Sequence, residues 1–371
     1  MERAWREAPI VWLAGVRRAG KTTLAESIGS DRALYLNCDL PSVADRVANP
    51  EFFYRQCDRE IVIFDEIHQI PDPSRLLKIG ADLFSRLKIL ATGSSTLAAS
   101  RKFRDTLTGR KRLVHLTPVL WDELAAFHRA PLEKRLYHGG LPQALLSERK
   151  SPDFYREWMD SFFARDIQRL FAFRDPDKFT ALFEYFMKQS GGLIEIARAA
   201  SALGISRATV ESHLRALEAT HGATVLRPFF GGGQKELIKT PKVYAFDTGF
   251  VSFFRGWDPL RAEDYGVLWE HVVLEFLQAH ASANRIQYWR DAAGREVDFV
   301  IARNRRAIDA IECKWNASQF DPTALKTFRS YYPHGVNYIV CPLASPGYSR
   351  LVSGLEVYVC DPGEWRKRFG T

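Results

Sequence analysis

The sequence predicts an α/β protein: a parallel sheet behind a phosphate-binding loop with a helical lid, then a winged helix-turn-helix and a second α/β domain. Three observations predict it. A G-x-x-x-x-G-K-T run at 15–22 stands between an apolar stretch and a helical one. A second apolar stretch, 61–64, runs into Asp65 and Glu66. Near the end, Asp298 and the spaced pair Glu312 and Lys314 lie on successive strand-like segments, behind a helix that carries Glu270.

Ile10 to Ala14 is a buried strand, and Gly15 breaks it. Gly15 and Gly20 let the backbone curl so that several N–H groups face one anion, Lys21 neutralises phosphate charge, and the Thr22 hydroxyl suits Mg²⁺. The helix from Lys21 to Ile28 adds its positive end. Arg18 and Thr23 complete the set of candidate ATP-binding residues with Gly15, Gly20, Lys21, Thr22, Asp65 and Ser94. Ala33 to Asn37 is a second strand. Asp65 then holds Mg²⁺ through water, and Glu66 orients or deprotonates the attacking water. The strand at 87–91 ends in Thr92-Gly93-Ser94-Ser95, where a polar side chain either touches the γ-phosphate or caps a helix.

Alternating strands and helices argue a parallel sheet with nucleotide at the strands' carboxyl ends. The sheet finishes at Arg112 to Leu116. Ahead of it runs a basic series, Arg101, Lys102, Arg104, Arg110, Lys111 and Arg112, opposed within the run by Asp105. Either this is a solvated face, or Arg110 is a finger reaching a neighbouring subunit's ATP. The stretch from Val119 to Gln189 is helical and aromatic, a core pattern, interrupted by a sharp turn at Gly139-Gly140-Leu141-Pro142. Arg165 beside Asp166 reads as a local ion pair or as a phosphate sensor.

From Leu193 to Thr248 the pattern is a helix-turn-helix. Ala200 stands four before Gly204 and Val210 six after it, so that two helices cross closely. The second helix, Arg207 to Glu218, turns Val210, Leu214 and Leu217 inward and Arg207, His213 and Arg215 outward. Strands at 225–230 and 242–246 flank Gly231-Gly232-Gly233-Gln234-Lys235, a wing. Such units contact DNA or other proteins.

The last third opens with a helix from Leu268 to Ala279, followed by strands at 285–290, 296–302 and 307–315. Residues two apart on a strand share a face, so Glu312 and Lys314 point the same way, and Asp298 joins them from the antiparallel neighbour. Two carboxylates and a strand carbonyl suit Mg²⁺, and the lysine helps a water attack a phosphodiester. Glu270, Asp298 and Glu312 are therefore candidate metal ligands, as are Thr22 and Asp65 at the first site. Asp298, Glu312 and Lys314 are candidate catalytic residues beside Glu66 and Arg110. The alternative is a surface ion pair of Lys314 with one of the acids.

With 371 residues the chain suggests two or three domains, and its net charge of +8 fits a polyanionic partner. Five cysteines without a C-x-x-C pair argue against a disulfide framework or a zinc site and point to a cytoplasmic setting. No apolar run is long enough for a membrane span.

Taken together, GVRRAGKTT (15–23), VIFDEIH (62–68), LATGSS (90–95), Gly109-Arg110, GGLPQAL (139–145), ARDI (164–167), PKVYAFDTG (241–249), REVDFVI and IECKW resemble a prokaryotic family of AAA-type ATPases. In that family the ATPase is joined to a C-terminal domain of unknown function. The resemblance implies an AAA+ core over 1–118, a helical lid and linker over 119–190, a winged helix over 191–248, and a restriction-nuclease-like PD-(D/E)xK domain over 249–371. It also implies ATP and Mg²⁺ as cofactors. Some relatives resemble junction resolvases, so the chain is expected to be an ATPase, a homo-oligomer acting on branched DNA and not on membranes. Two other functions fit the same residues: an ATP-gated nuclease of repair or defence, and an ATP-dependent regulatory switch that cuts nothing.

Overall fold

The computed structural model describes residues 1–29, 31–93, 107–171, 173, 175–230, 240–281 and 286–369. The chain forms two compact units. The first gathers Met1–Thr117, Trp158–Arg174 and Ala219–Gly222; the second gathers Pro118–Glu157, Asp175–Glu218 and Ala223–Thr371. Where the sequence suggests four consecutive segments, each unit draws on stretches distant in the chain.

In the first unit, helix α1 (Glu2–Glu7) precedes β1 (Ile10–Ala14), α2 (Lys21–Glu26) and β2 (Ala33–Asn37). Helices α3 (Pro41–Val47) and α4 (Pro50–Arg55) lead to β3 (Ile61–Asp65), α5 (Pro73–Leu83), β4 (Lys88–Thr92) and β5 (Lys111–His115). The five strands are parallel, in the order β2-β3-β4-β1-β5. Both faces of β1 are buried, as a parallel sheet with helices on each side requires. Ile10, Trp12 and Ala14 enter one core with Phe64 and Tyr54; Val11 and Leu13 enter the other with Trp5, Ile61 and Ile63. Strand β5 is one edge, and its lysine and arginine keep that edge polar. Helix α2 stops at Glu26, two residues short of the helix predicted to Ile28.

In the second unit, α6 (Leu132–His138) and α7 (Pro142–Leu146) flank the Gly139-Gly140 turn. Arg135, fully buried, donates to the Val119 carbonyl at 2.7 Å, to Thr248 Oγ1 at 2.9 Å, and to Glu275. Asp247 accepts the N–H groups of Gly140 at 2.6 Å and Leu141 at 3.1 Å. A side chain at Gly139 would run into the Asp247 carboxylate, and one at Gly140 into the Arg135 guanidinium. The GGLP and FDTG motifs are therefore one buried joint. Removing Arg135 would strand the buried Glu275 carboxylate away from water.

Helix α8 (Pro152–Phe162) and a π turn (Phe163–Ile167) precede α9 (Gln168–Phe171) and α10 (Pro176–Lys188). Next come α11 (Ile196–Leu203) and α12 (Arg207–Ala219), joined through Gly204, and the antiparallel pair β6 (Ala223–Leu226) and β7 (Lys242–Ala245). Arg207 and Arg215 are exposed, but His213 is not. It is buried beside Phe179, its Nδ1 2.8 Å from the Thr209 carbonyl. Lying three after Val210 and four before Leu217, it falls on the inner helical face, which corrects its expected outward position. The expected wing at 231–235 lies outside the described residues, as do Ser94, Ser95, Arg101, Lys102, Arg104 and Asp105.

Helices α13 (Thr248–Phe254) and α14 (Ala262–His280) then lead to the second large sheet. Its strands are β8 (Ile286–Arg290), β9 (Glu296–Ala302), β10 (Ile308–Cys313), β11 (Asn337–Val340), β12 (Tyr348–Val352) and β13 (Leu355–Cys360), with α15 (Thr323–Tyr331) and α16 (Pro362–Phe369). The order is β12-β13-β11-β10-β9-β8, with β10, β11 and β13 parallel and the outer strands antiparallel. Trp269 of α14 donates to the Val340 carbonyl at 2.9 Å, which fixes the helix against the sheet. Among the described residues no helix is long and apolar enough to cross a membrane.

Candidate functional sites

The first site forms where β1, β3 and β4 end. Gly15 sits against the Leu116 carbonyl with no room for a side chain, and Arg18 and Gly20 have positive φ, so the loop curls as the spacing predicts. Lys21 Nζ donates to the carbonyls of Gly15 at 2.9 Å and Val16 at 3.0 Å. Burial draws its pKa below the usual lysine value, against the pull of Glu66 and Asp166. Thr22 Oγ1 donates to Asp65 Oδ2 at 2.9 Å. A hydroxyl and a carboxylate oxygen meeting at this place fit a Mg²⁺ ion, a hard cation that takes oxygen ligands.

Asp65 is buried and held by more than Thr22. Tyr35 donates to Oδ2 at 2.8 Å, and Thr92 donates to Oδ1. Thr92 Oγ1 also accepts the Glu66 N–H at 3.0 Å. Thr92 thus holds the Asp65 carboxylate and the Glu66 backbone from the end of β4. Glu66 itself has φ 55°, a left-handed conformation uncommon outside glycine and of the kind that concentrates at functional sites. Burial raises its pKa, but His68, 3.1 Å away, together with Lys21 and Arg17, outweighs burial and holds the carboxyl below its usual range.

The loop is also gripped from the π turn. Arg17 Nε donates to Asp166 Oδ2 at 3.0 Å, and Trp158 Nε1 donates to the Arg17 carbonyl at 2.9 Å. Of the two sequence readings of Arg165 and Asp166, neither describes Asp166, which pairs with the phosphate loop while Arg165 is exposed. π turns inside helices are frequent at functional sites. Arg110 forms a two-point ion pair with Asp82, at 2.5 and 3.2 Å, and Arg112 bonds Glu7 at 2.7 Å. Arg110 and Arg112 are thus opposed by acids distant in sequence, which the basic run itself did not suggest.

The second site lies in the other unit. Asp298 on β9 accepts the Cys313 N–H at 2.8 Å, and Lys314 Nζ stands 2.8 Å from Glu312 Oε2 and 3.4 Å from Asp298 Oδ2. These three meet as the strand pattern predicts. Glu312 is buried, and among the described residues its Oε1 has no hydrogen-bond partner. Burial, with Asp298 beside it, pushes its carboxyl up to about 8. Glu270 is engaged differently. Its Oε1 accepts from Tyr244 at 2.5 Å and from Lys242 at 3.2 Å, and Lys242 also pairs with Glu296. Burial disfavours the Lys242 ammonium, but Glu270, Glu296 and Asp298 together hold its pKa above the usual lysine value. Among the described residues no three His, Cys, Asp or Glu are grouped to hold a metal ion. Lys242 and Tyr244 were legible only as strand residues, although their spacing by two puts them on one face. Trp315 packs on Tyr265, ring centroids 4.7 Å apart, beside this site.

Residues 7–125 match the family profile described as an AAA domain. Residues 129–261 and 265–346 match two profiles described as domains of unknown function, DUF8612 and DUF4143. The chain is 28% identical over 318 residues to the uncharacterized proteins Mb2031c of Mycobacterium bovis and Rv2008c of Mycobacterium tuberculosis, covering 82% of this chain and 70% of theirs. Among solved structures it is similar to the RuvB Holliday junction branch migration motor of Thermotoga maritima. That match has 19% identity, covers 58% of this chain and 81% of that one, and has a TM-score of 0.30. It is also similar to Cdc6p of Pyrobaculum aerophilum, at 13% identity, 69% and 91% coverage and a TM-score of 0.27. Superpositions this loose carry no argument about what the chain does. The AAA profile and the phosphate loop on a parallel sheet together make the first unit a P-loop ATPase fold.

Proposed function

We propose that the chain hydrolyses ATP and couples hydrolysis to DNA, branched DNA in particular, as a homo-oligomer. The observation that carries the ATPase half is the joint of Lys21, Thr22, Asp65 and Glu66 at one end of a parallel sheet. Gly15, Arg18, Gly20, Lys21, Thr22 and Thr23 bind the phosphates, with the loop's N–H groups and the start of α2 facing their charge. Thr22 and Asp65 hold Mg²⁺, which neutralises phosphate charge when bound. Glu66, ionised and held at its backbone N–H by Thr92, takes up or positions the proton of the attacking water. Ser94 remains a candidate contact to the γ-phosphate.

The DNA half is supported by the net charge of +8 and by the exposed Arg207 and Arg215 on the second helix of the helix-turn-helix. In the second site Asp298, Glu312 and Lys314 share one place, as a phosphodiester hydrolase of this kind needs. With Glu270 tied to Lys242, a DNA clamp is favoured over a nuclease.

The test is a set of gel shifts with single-stranded, duplex, forked and four-way DNA, each paired with an ATPase assay. DNA-stimulated hydrolysis, strongest on branched DNA, is expected. Binding should weaken steeply with salt, and Arg207→Ala with Arg215→Ala should flatten the slope as fewer counterions are displaced. Unstimulated hydrolysis with no shift of any DNA would favour the regulatory switch, and metal-dependent nicking would favour the nuclease.

A further inference from the structure

We infer that Lys242 is a built-in counter-cation that takes the place of a divalent metal at the second site, so that this acidic centre excludes metal ions. Lys242 is buried, and its ammonium has three partners: Glu270 Oε1 at 3.2 Å, Tyr244 Oη at 3.3 Å, and Glu296. Tyr244, fully enclosed, fixes Glu270 from the same face of β7. On the other side of the centre Lys314 reaches both Glu312 and Asp298. Each of the three carboxylates expected to ligate Mg²⁺ therefore already meets an ammonium, and among the described residues no three acids are grouped for a metal.

A carboxylate withdrawn from water is neutralised by a proton, an ion pair or a metal, and at Glu270 the ion pair is already made. Mg²⁺ demands near-ideal octahedral geometry and keeps several of its waters. Room for it at Glu270 requires Lys242 to leave, and that lysine is anchored by its own strand and cannot diffuse away. Its departure would pull a buried ammonium away from Glu270, Tyr244 and Glu296 together. Lys314 is the lysine that a restriction-type centre contains; Lys242 is a second one, from a different strand, on Glu270, the helix acid that adds to the Asp298 and Glu312 pair. Phosphodiester cutting of that kind requires the ion, so a centre that excludes it does not cut. Metal exclusion here is independent of ATP hydrolysis and of DNA binding, and its test needs neither.

The nucleotide-free 371-residue chain is titrated with Mn²⁺, and free Mn²⁺ is followed by electron paramagnetic resonance. The wild type should show no Mn²⁺ site that Glu270→Gln removes. Lys242→Gln should bind one Mn²⁺ at least about tenfold more tightly than the wild type, the scale on which groups around metal ligands act. That gain should vanish in Lys242→Gln combined with Glu270→Gln. A wild-type Mn²⁺ site abolished by Glu270→Gln would overturn the inference, as would a folded Lys242→Gln that binds no better than the wild type. If Lys242→Gln does not fold, the wild-type titration against Glu270→Gln decides alone.

Discussion

Arg17 Nε lies 3.0 Å from Asp166 Oδ2, so a residue 149 positions further along the chain clamps the phosphate loop. The pair is partly buried, and Trp158 holds the same arginine through its carbonyl. Loop geometry in this protein is therefore set both by its own glycines and by the π turn.

Asp166→Asn should loosen the loop without touching the chemistry. A charge-assisted hydrogen bond in a partly buried setting contributes about 1 kcal/mol, so KM for ATP should rise about fivefold while kcat stays near the wild-type value. Steady-state kinetics at varied ATP check this. An unchanged KM would make the pair ornamental to nucleotide binding.

Thr92→Val should act on turnover. It leaves Asp65 Oδ1 and the Glu66 N–H without the hydroxyl that joins them. Stability should fall by about 1–3 kcal/mol, the usual cost of stranding a buried polar group, and kcat should fall more than ATP affinity. Thermal unfolding and nucleotide binding, measured on the same sample, separate the two effects.

His271 predicts an acid limit to stability. It is buried, its Nε2 2.6 Å from Ser190 Oγ and its Nδ1 2.7 Å from the Val267 carbonyl, and burial pushes its pKa down to about 3. The folded state keeps the ring neutral while the unfolded chain takes a proton near pH 6.5. Its contribution is therefore complete above about 6.5 and declines as pH falls, by about 3 kcal/mol at pH 4. His271→Gln should flatten the fall in stability between pH 6.5 and 4, measured by urea unfolding. An equally steep fall in the variant would assign the acid limit to other groups.

Arg110 as a finger acting on a neighbour's ATP must leave Asp82. Arg110→Ala subunits mixed with Lys21→Ala subunits should then recover part of the lost activity, because some interfaces regain one intact site. No recovery in a proven oligomer would return Arg110 to a surface ion pair.

The parts of the fold that the sequence reveals are those set by local periodicity and spacing. The loop at Gly15–Thr22, the acids at the end of β3, and the pairing of Asp298 with Glu312 and Lys314 all follow from residues near one another in the chain or from strand alternation. What stayed hidden depends on contacts between distant segments. Asp166 gives no sign in sequence that it faces Arg17, and Asp82 none that it faces Arg110. Lys242 reads as an ordinary strand residue until Glu270 and Glu296 are brought to it. His213 was misread because the helix was judged by residue type, and its spacing from Val210 and Leu217 carries the better signal.

The central claim is that Lys21 and Glu66 divide the labour of one ATPase site. Nucleotide binding and steady-state hydrolysis, measured side by side on Lys21→Ala and Glu66→Gln, test it most directly. Lys21→Ala should lose both binding and turnover. Glu66→Gln should keep ATP bound while hydrolysis falls about a hundredfold or more, the range for loss of a positioned base. Near-normal turnover by Glu66→Gln would contradict the account.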